Sequence, residues 1–156
     1  MKTNYLSRLR YGMAALITSS LLTLNAFAQE QPQNYKQDPL YAETVKLWTN
    51  CEASVKKIAA EKNNHAAAEM MRKFDNDYTP QLELLSKKAA LWRKSHTKQE
   101  YVGFSLSLQK APIFNELMGA LEPEAFGPRD KEFAEAYMRG AEHLHAAMMK
   151  GMSAAK

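Results

Sequence analysis

The stretch DPLYAETVKLWTNCEASVKKI, residues 38–58, decides the fold class. Asp38 offers a side-chain oxygen to the free N–H groups of a first helical turn, and Pro39 brings the backbone angle that the first helical position needs. Tyr41, Val45, Trp48, Cys51 with Glu52, Val55 and Ile58 then recur at steps of three and four. An α-helix stacks residues at that spacing on one face, whereas a strand would alternate them. Glu43, Lys46, Lys56 and Lys57 fall elsewhere on the helix. Asn63 and Asn64 favour a turn and mark the expected end.

The same signals repeat downstream. Residues 65–76, with Ala66 to Ala68 and the apolar Met70, Met71 and Phe74, read as a second helix that is expected to break at Asp75–Thr79. Thr79-Pro80 repeats the cap-then-proline start, and Leu82, Leu85, Ala89 and Trp92 supply the next seam. Thr97 and Glu100 have capping-box spacing. Pro112 is expected to kink or restart the helix that follows, whose apolar face continues through Ile113, Leu117, Met118 and Leu121. Glu122 to Asp130 contains two prolines and a glycine and reads as the main internal loop. A final helix is expected from about Arg129 to Met152, with a seam of Phe133, Tyr137, Ala141, Leu144, Met148 and Met152. Strand-like alternation is absent. The expectation is an all-α domain over residues 38–153, a small antiparallel bundle of four to five helices. The polar stretch 29–37 is expected to be a disordered lead-in.

Residues 1–28 have the pattern of a cleaved secretory signal peptide. Lys2, Arg8 and Arg10 form a basic start without an acid. Met13 to Leu24 is apolar, and Ala26-Phe27-Ala28 is an A-x-A cleavage sequence. The apolar run is short for a membrane span and carries Thr18, Ser19, Ser20 and Thr23. A periplasmic or secreted location is therefore expected, with no membrane span after cleavage. Removing the three bases from the 21 Lys and Arg leaves 18 against 17 acids. The formal charge of +4 thus resides largely in the signal, and no global field favours nucleic acid or an anionic membrane. Cys51 is the one cysteine, so an intrachain disulfide is excluded.

Candidate chemistry concentrates in the last helix, in Glu142-His143-Leu144-His145-Ala146-Ala147-Met148-Met149. Residues turn by about 100° each, so His143 and His145 point to nearly opposite sides and cannot share an ion. His145 shares a face with Met138, Met149 and Met152, and thioether with imidazole suits copper. Glu142 and His145 also make one Glu-x-x-His pair, half of what a carboxylate-bridged di-iron site requires. His143 is expected to be solvated. Covalent haem is excluded because C-x-x-C-H is missing, although non-covalent haem would need only one His and one Met. His65 has Glu61 and Glu69 four residues away on either side, and His96 has Glu100. Cys51 sits on an apolar seam, where a thiol is inert. No nucleophile elbow, zinc-protease, Walker or dinucleotide motif occurs.

Lys87, Lys88, Arg93, Lys94 and Lys98 form a basic stretch, and Glu116 to Glu135 an acidic one. Such runs are solvated helix faces or, together, a dipolar docking surface. The expected function is an exported binding protein without catalytic activity. It would recognise a protein partner, as an inhibitor, immunity factor, adaptor or chaperone does, or a second copy of itself. No cofactor is expected on this reading. The alternative is a copper, iron or haem binder using the His145 face.

Overall fold

A computed structural model describes residues 34–153. The expected signal peptide with its cleavage residues Ala26 and Ala28, and residues 29–33 of the lead-in, lie outside the described residues. The described chain folds as α1 (Pro39–Ala60), α2 (Asn64–Ser95), α3 (Lys98–Gln109), α4 (Pro112–Ala120) and α5 (Lys131–Ser153). Two 3-10 turns, Tyr35–Gln37 and Pro123–Phe126, complete it, with no strand among the described residues. The fold is an all-α bundle, as the hydrophobic periodicity predicts.

Local chemistry accounts for the helix starts. Asp38 accepts from Leu40 N at 2.8 Å with Pro39 next in line. Asn63 caps α2 through Ala66 N at 3.0 Å, and Asp130 caps α5 through Phe133 N at 3.0 Å. The capping box of α3 forms in both directions, Thr97 Oγ1 accepting from Glu100 N and Glu100 Oε2 from Thr97 N. Each such bond satisfies a backbone donor that the helix itself cannot. At the other end of α1, the Arg129 guanidinium donates to the carbonyls of Ile58 and Ala59 at 3.3 and 3.1 Å and lies over the Phe133 ring. A cation at a helix C-terminus is favourable, and this one ties the end of α1 to the approach into α5.

Three expectations need correction. The break at Asp75–Thr79 does not occur: α2 runs unbroken for 32 residues with Pro80 inside it. Proline removes one helical donor, but Pro80 is exposed, so the freed carbonyl is not trapped in the core. Thr79 bonds Asp75 and the Gln81 side chain donates to the Asp77 carbonyl at 2.7 Å, flanking the gap with polar contacts. The second correction concerns direction. α1 and α2 are antiparallel, since Asp38 pairs with Trp92, Glu43 with Lys88 and Ser54 with Tyr78. α2 and α5, the most extensively packed pair, are parallel: Arg72 meets Glu132, Asp75 meets His143 and Glu83 meets Lys150. Residues 96–130 carry the chain back between them, a long crossover rather than a hairpin. The third concerns the end of the lead-in. Tyr35 packs edge-on against Trp92 and Phe104, and a Cβ at Gly103 would lie 2.8 Å from its ring. Glycine is what admits that ring.

The core joins α1, α2 and α5, with Val55, Ile58, Ala67, Ala68, Met71, Phe74, Phe133, Tyr137 and Leu144 buried. The α1 seam is rotated from the one read off the sequence. Leu47 and Thr44 are buried, while Val45 and Trp48 remain half-buried. Thr44 is tolerated because its hydroxyl donates to the Leu40 carbonyl at 2.7 Å. No helix among the described residues is long and apolar enough to cross a membrane.

Candidate functional site

The expected metal face of α5 is largely turned to solvent. His145 and Glu142 are exposed, Met149 is 46% exposed, and Met138 is half-buried against the core. The side chains of Met148 and Met152 lie outside the description. His143 is exposed, as its spacing suggests, but it also has a protein partner. Its Nδ1 donates to Asp75 Oδ2 at 2.6 Å, and the buried Asp75 also accepts from Thr79 Oγ1 at 2.7 Å. The parallel register of α2 and α5 makes this pair, and helical spacing within α5 alone gives no sign of it. Thr79 donates to the carboxylate rather than to the imidazole, so the three residues form a structural clamp and not a relay to a nucleophile.

A second polar cluster lies near the start of the same two helices. His65 Nδ1 donates to Glu132 Oε1 and Oε2 at 3.0 and 3.1 Å. Arg72 pairs with Glu132 at 2.9 Å and with Glu69 one turn earlier on its own helix. Arg72, then His65, holds the Glu132 carboxyl below the ordinary carboxylate range, and Glu132 in turn raises Arg72. One donor atom from each of His65, Glu69 and Glu132 falls within 4.8 Å of the others. The His65–Glu69 spacing was legible in the sequence; Glu132 was not, because it is 63 or more residues away from both. Glu61, the other expected neighbour of His65, instead accepts from Asn63 N at 2.8 Å.

Cys51 is buried, and burial pushes its thiol up to about 12. A thiol held protonated at neutral pH is neither a nucleophile nor a soft ligand. Tyr137 is similarly raised to about 12, by burial first and then by Glu124 and Glu122, while its hydroxyl donates to the Leu121 carbonyl at 2.6 Å.

An open cleft of about 330 Å³ is lined by Asn34, Tyr35, Asp38, Trp92, His96 and Glu100. Its chemistry is already committed. His96 stacks on Trp92 at 3.7 Å and Phe104 lies 4.5 Å from the same ring at a shallow tilt. Two rings that close cannot share one face, so both faces of the indole are covered. Asp38 is taken by Leu40 N and Trp92 Nε1, and Glu100 by Thr97. The cleft is the outer edge of an aromatic pin that fastens α2 to α1 and α3.

The basic stretch divides into tethered and open members. Lys87 pairs with Glu83 at 2.7 Å, Lys88 with Glu43 at 2.5 Å, and Arg93 lies 4.9 Å from the Tyr101 ring centre. Lys94 and Lys98 are exposed. On the same helix α2 presents Leu84 and Leu91, 53% and 61% exposed, seven residues apart and so on one face, with Lys88 between them in sequence. Of the acidic stretch, Asp130 is a cap, Glu132 belongs to the His65 cluster, and Glu116, Glu122 and Glu124 are exposed. Compared with family models, curated proteins and solved structures, the chain matches none at a significant level.

Proposed function

We propose that this chain is an exported, non-catalytic binding module that docks a protein partner on the second half of α2. The observation that carries the reading is the pair Leu84 and Leu91, two large apolar side chains more than half exposed on one helical face. Lone exposed leucines are ordinary, but two in register make an apolar stripe, on a helix that also carries the exposed Lys94 and the ion-paired Lys87 and Lys88. The complementary surface is an amphipathic helix with acidic flanks. The non-catalytic part of the reading rests on a thiol kept protonated by burial and on an Asp75–His143 pair whose hydroxyl neighbour points to the carboxylate. Export rests on the N-terminal basic, apolar and A-x-A pattern.

Site-specific photo-crosslinking in intact cells tests it. A crosslinker at Leu91 should trap a second protein, and one at the exposed Glu135 should not. A Leu84→Glu change in the same chain should remove the adduct while the helical circular dichroism signal stays constant. An adduct with the mass of two copies would replace the heterologous partner by self-association. Trapping that is equal at Leu91 and Glu135 would refute the surface.

A further inference from the structure

We propose that His65, Glu69 and Glu132 form a divalent-metal site of zinc type that clasps the first turns of α2 and α5. This goes beyond the docking surface on α2 and is independent of it. It also uses residues other than the His145 face of α5.

Three features support the assignment. The donor set is one imidazole and two carboxylates, the nitrogen and oxygen ligands that zinc accepts at about 2.0–2.2 Å. One atom from each residue already lies within 4.8 Å of the others. His65 Nδ1 stands 3.0 and 3.1 Å from the two Glu132 oxygens, close to the roughly 3.3 Å that separates two ligands on a tetrahedral ion with those bond lengths. Charge points the same way. Glu69 and Glu132 bring two negative charges, and Arg72 returns one. A neutral imidazole leaves the cluster one charge short of balance. Arg72 does not have to leave when an ion enters. Its NH1 holds Glu69 Oε1 and its NH2 holds Glu132 Oε1, which leaves Glu69 Oε2 and, once the ion takes the place of the proton on His65 Nδ1, Glu132 Oε2 for a metal. Donors in that position orient ligating carboxylates and are part of a working site. The anchor points are also rigid, because the two helices that carry them form the most extensive packing pair of the bundle. Three protein ligands leave a fourth position for water.

Titration of the purified chain with zinc chloride in a non-coordinating buffer, read by calorimetry and by thermal unfolding, decides the matter. The expected result is saturation at one ion per chain with a rise in Tm. His65→Ala and Glu132→Gln should each weaken binding at least tenfold. His145→Ala should leave it unchanged. His65 is exposed, so its removal is not expected to disturb folding, and circular dichroism of the variant checks this. Absence of saturable binding overturns the site. So does affinity that survives His65→Ala, or that is lost in His145→Ala instead.

Discussion

The two halves of α2 are one continuous helix with different surroundings. Up to Thr79 it buries Ala67, Ala68, Met71, Phe74 and Asp75. Beyond Pro80 it buries only Leu85 and Ala90 and exposes Leu84 and Leu91. Helix propensity does not explain the difference, since the run Asp75–Thr79 is poor in helix formers and yet closes the better-packed half. Neighbours do. The first half lies under α5, which runs alongside it until Lys150 reaches Glu83. The later turns are held at their edges, by Lys88 to Glu43 and by Trp92 to Asp38. The lesson is that neighbours, not the helix itself, decide which half is buried: among the described residues the first half is packed and the second leaves Leu84 and Leu91 exposed.

The largest expected effect sets one residue from each half against the other. Phe74→Ala empties a buried ring site and should lower unfolding free energy by about 3–5 kcal/mol. Leu91→Ala should change it by no more than about 0.5 kcal/mol. Urea unfolding of both variants measures the contrast, and equal losses would abolish the distinction between the halves.

Alkaline titration probes the block around the first half. Tyr137 and Cys51 are both raised to about 12, from ordinary values of 10.0 and 9.0. The folded chain therefore holds these protons more tightly than the unfolded chain. That stabilisation is complete below about pH 9 and disappears progressively toward pH 12. Thermal unfolding followed across this window should show a falling Tm, with a shallower fall in Tyr137→Phe. A flat profile to pH 12 would contradict the burial of both groups.

The all-α class, the caps at Asp38 and Thr97, the helix restart at Pro112, and the buried Cys51 were legible in the sequence, because each depends on residues within a few positions of one another. The candidate sites were legible only in part. His65 and Glu69 share a helix and were readable as a pair, but Glu132 joins them through the parallel crossover, which no local pattern encodes. His143 is exposed, as expected, but its partner Asp75 was not legible for the same reason, being 68 residues away. Pro80 misled in another way. The cap-then-proline pattern is a real start signal, yet an exposed proline inside a long helix can be carried by the packing on either side of it. Leu84 and Leu91 could not be recognised as exposed, since periodicity identifies apolar positions but not which of them meets a neighbour.

A smaller effect tests the polar contact between the helices. Asp75→Ala removes the bonds from His143 and Thr79 and should destabilise by about 1–3 kcal/mol. The loss is smaller than for Phe74 because His143 is nearly half exposed and can turn to water once its partner is gone. Nuclear magnetic resonance of the His143 ring should then report a more solvated imidazole. An unchanged ring signal would mean that the clamp between α2 and α5 does not persist in solution.

The smallest effect concerns the residue between the halves. Pro80→Ala supplies an N–H to the carbonyl of Asn76 and removes the ring from the helix interior. The restored bond is worth about 1 kcal/mol, and relief of crowding adds to it. Against this, the unfolded chain regains freedom that proline denied it, about 0.4–1 kcal/mol. The net gain should not exceed about 1 kcal/mol, because α2 already continues through Pro80 without interruption. Hydrogen exchange is the sharper readout. If proline marks the mechanical boundary between the packed and the open half, the variant should slow exchange at the amides just after position 80 and leave those around Ala67 and Ala68 unchanged. Protection that rises equally along α2 would show that the helix opens as a single unit, and the division between its halves would then lie in their neighbours alone.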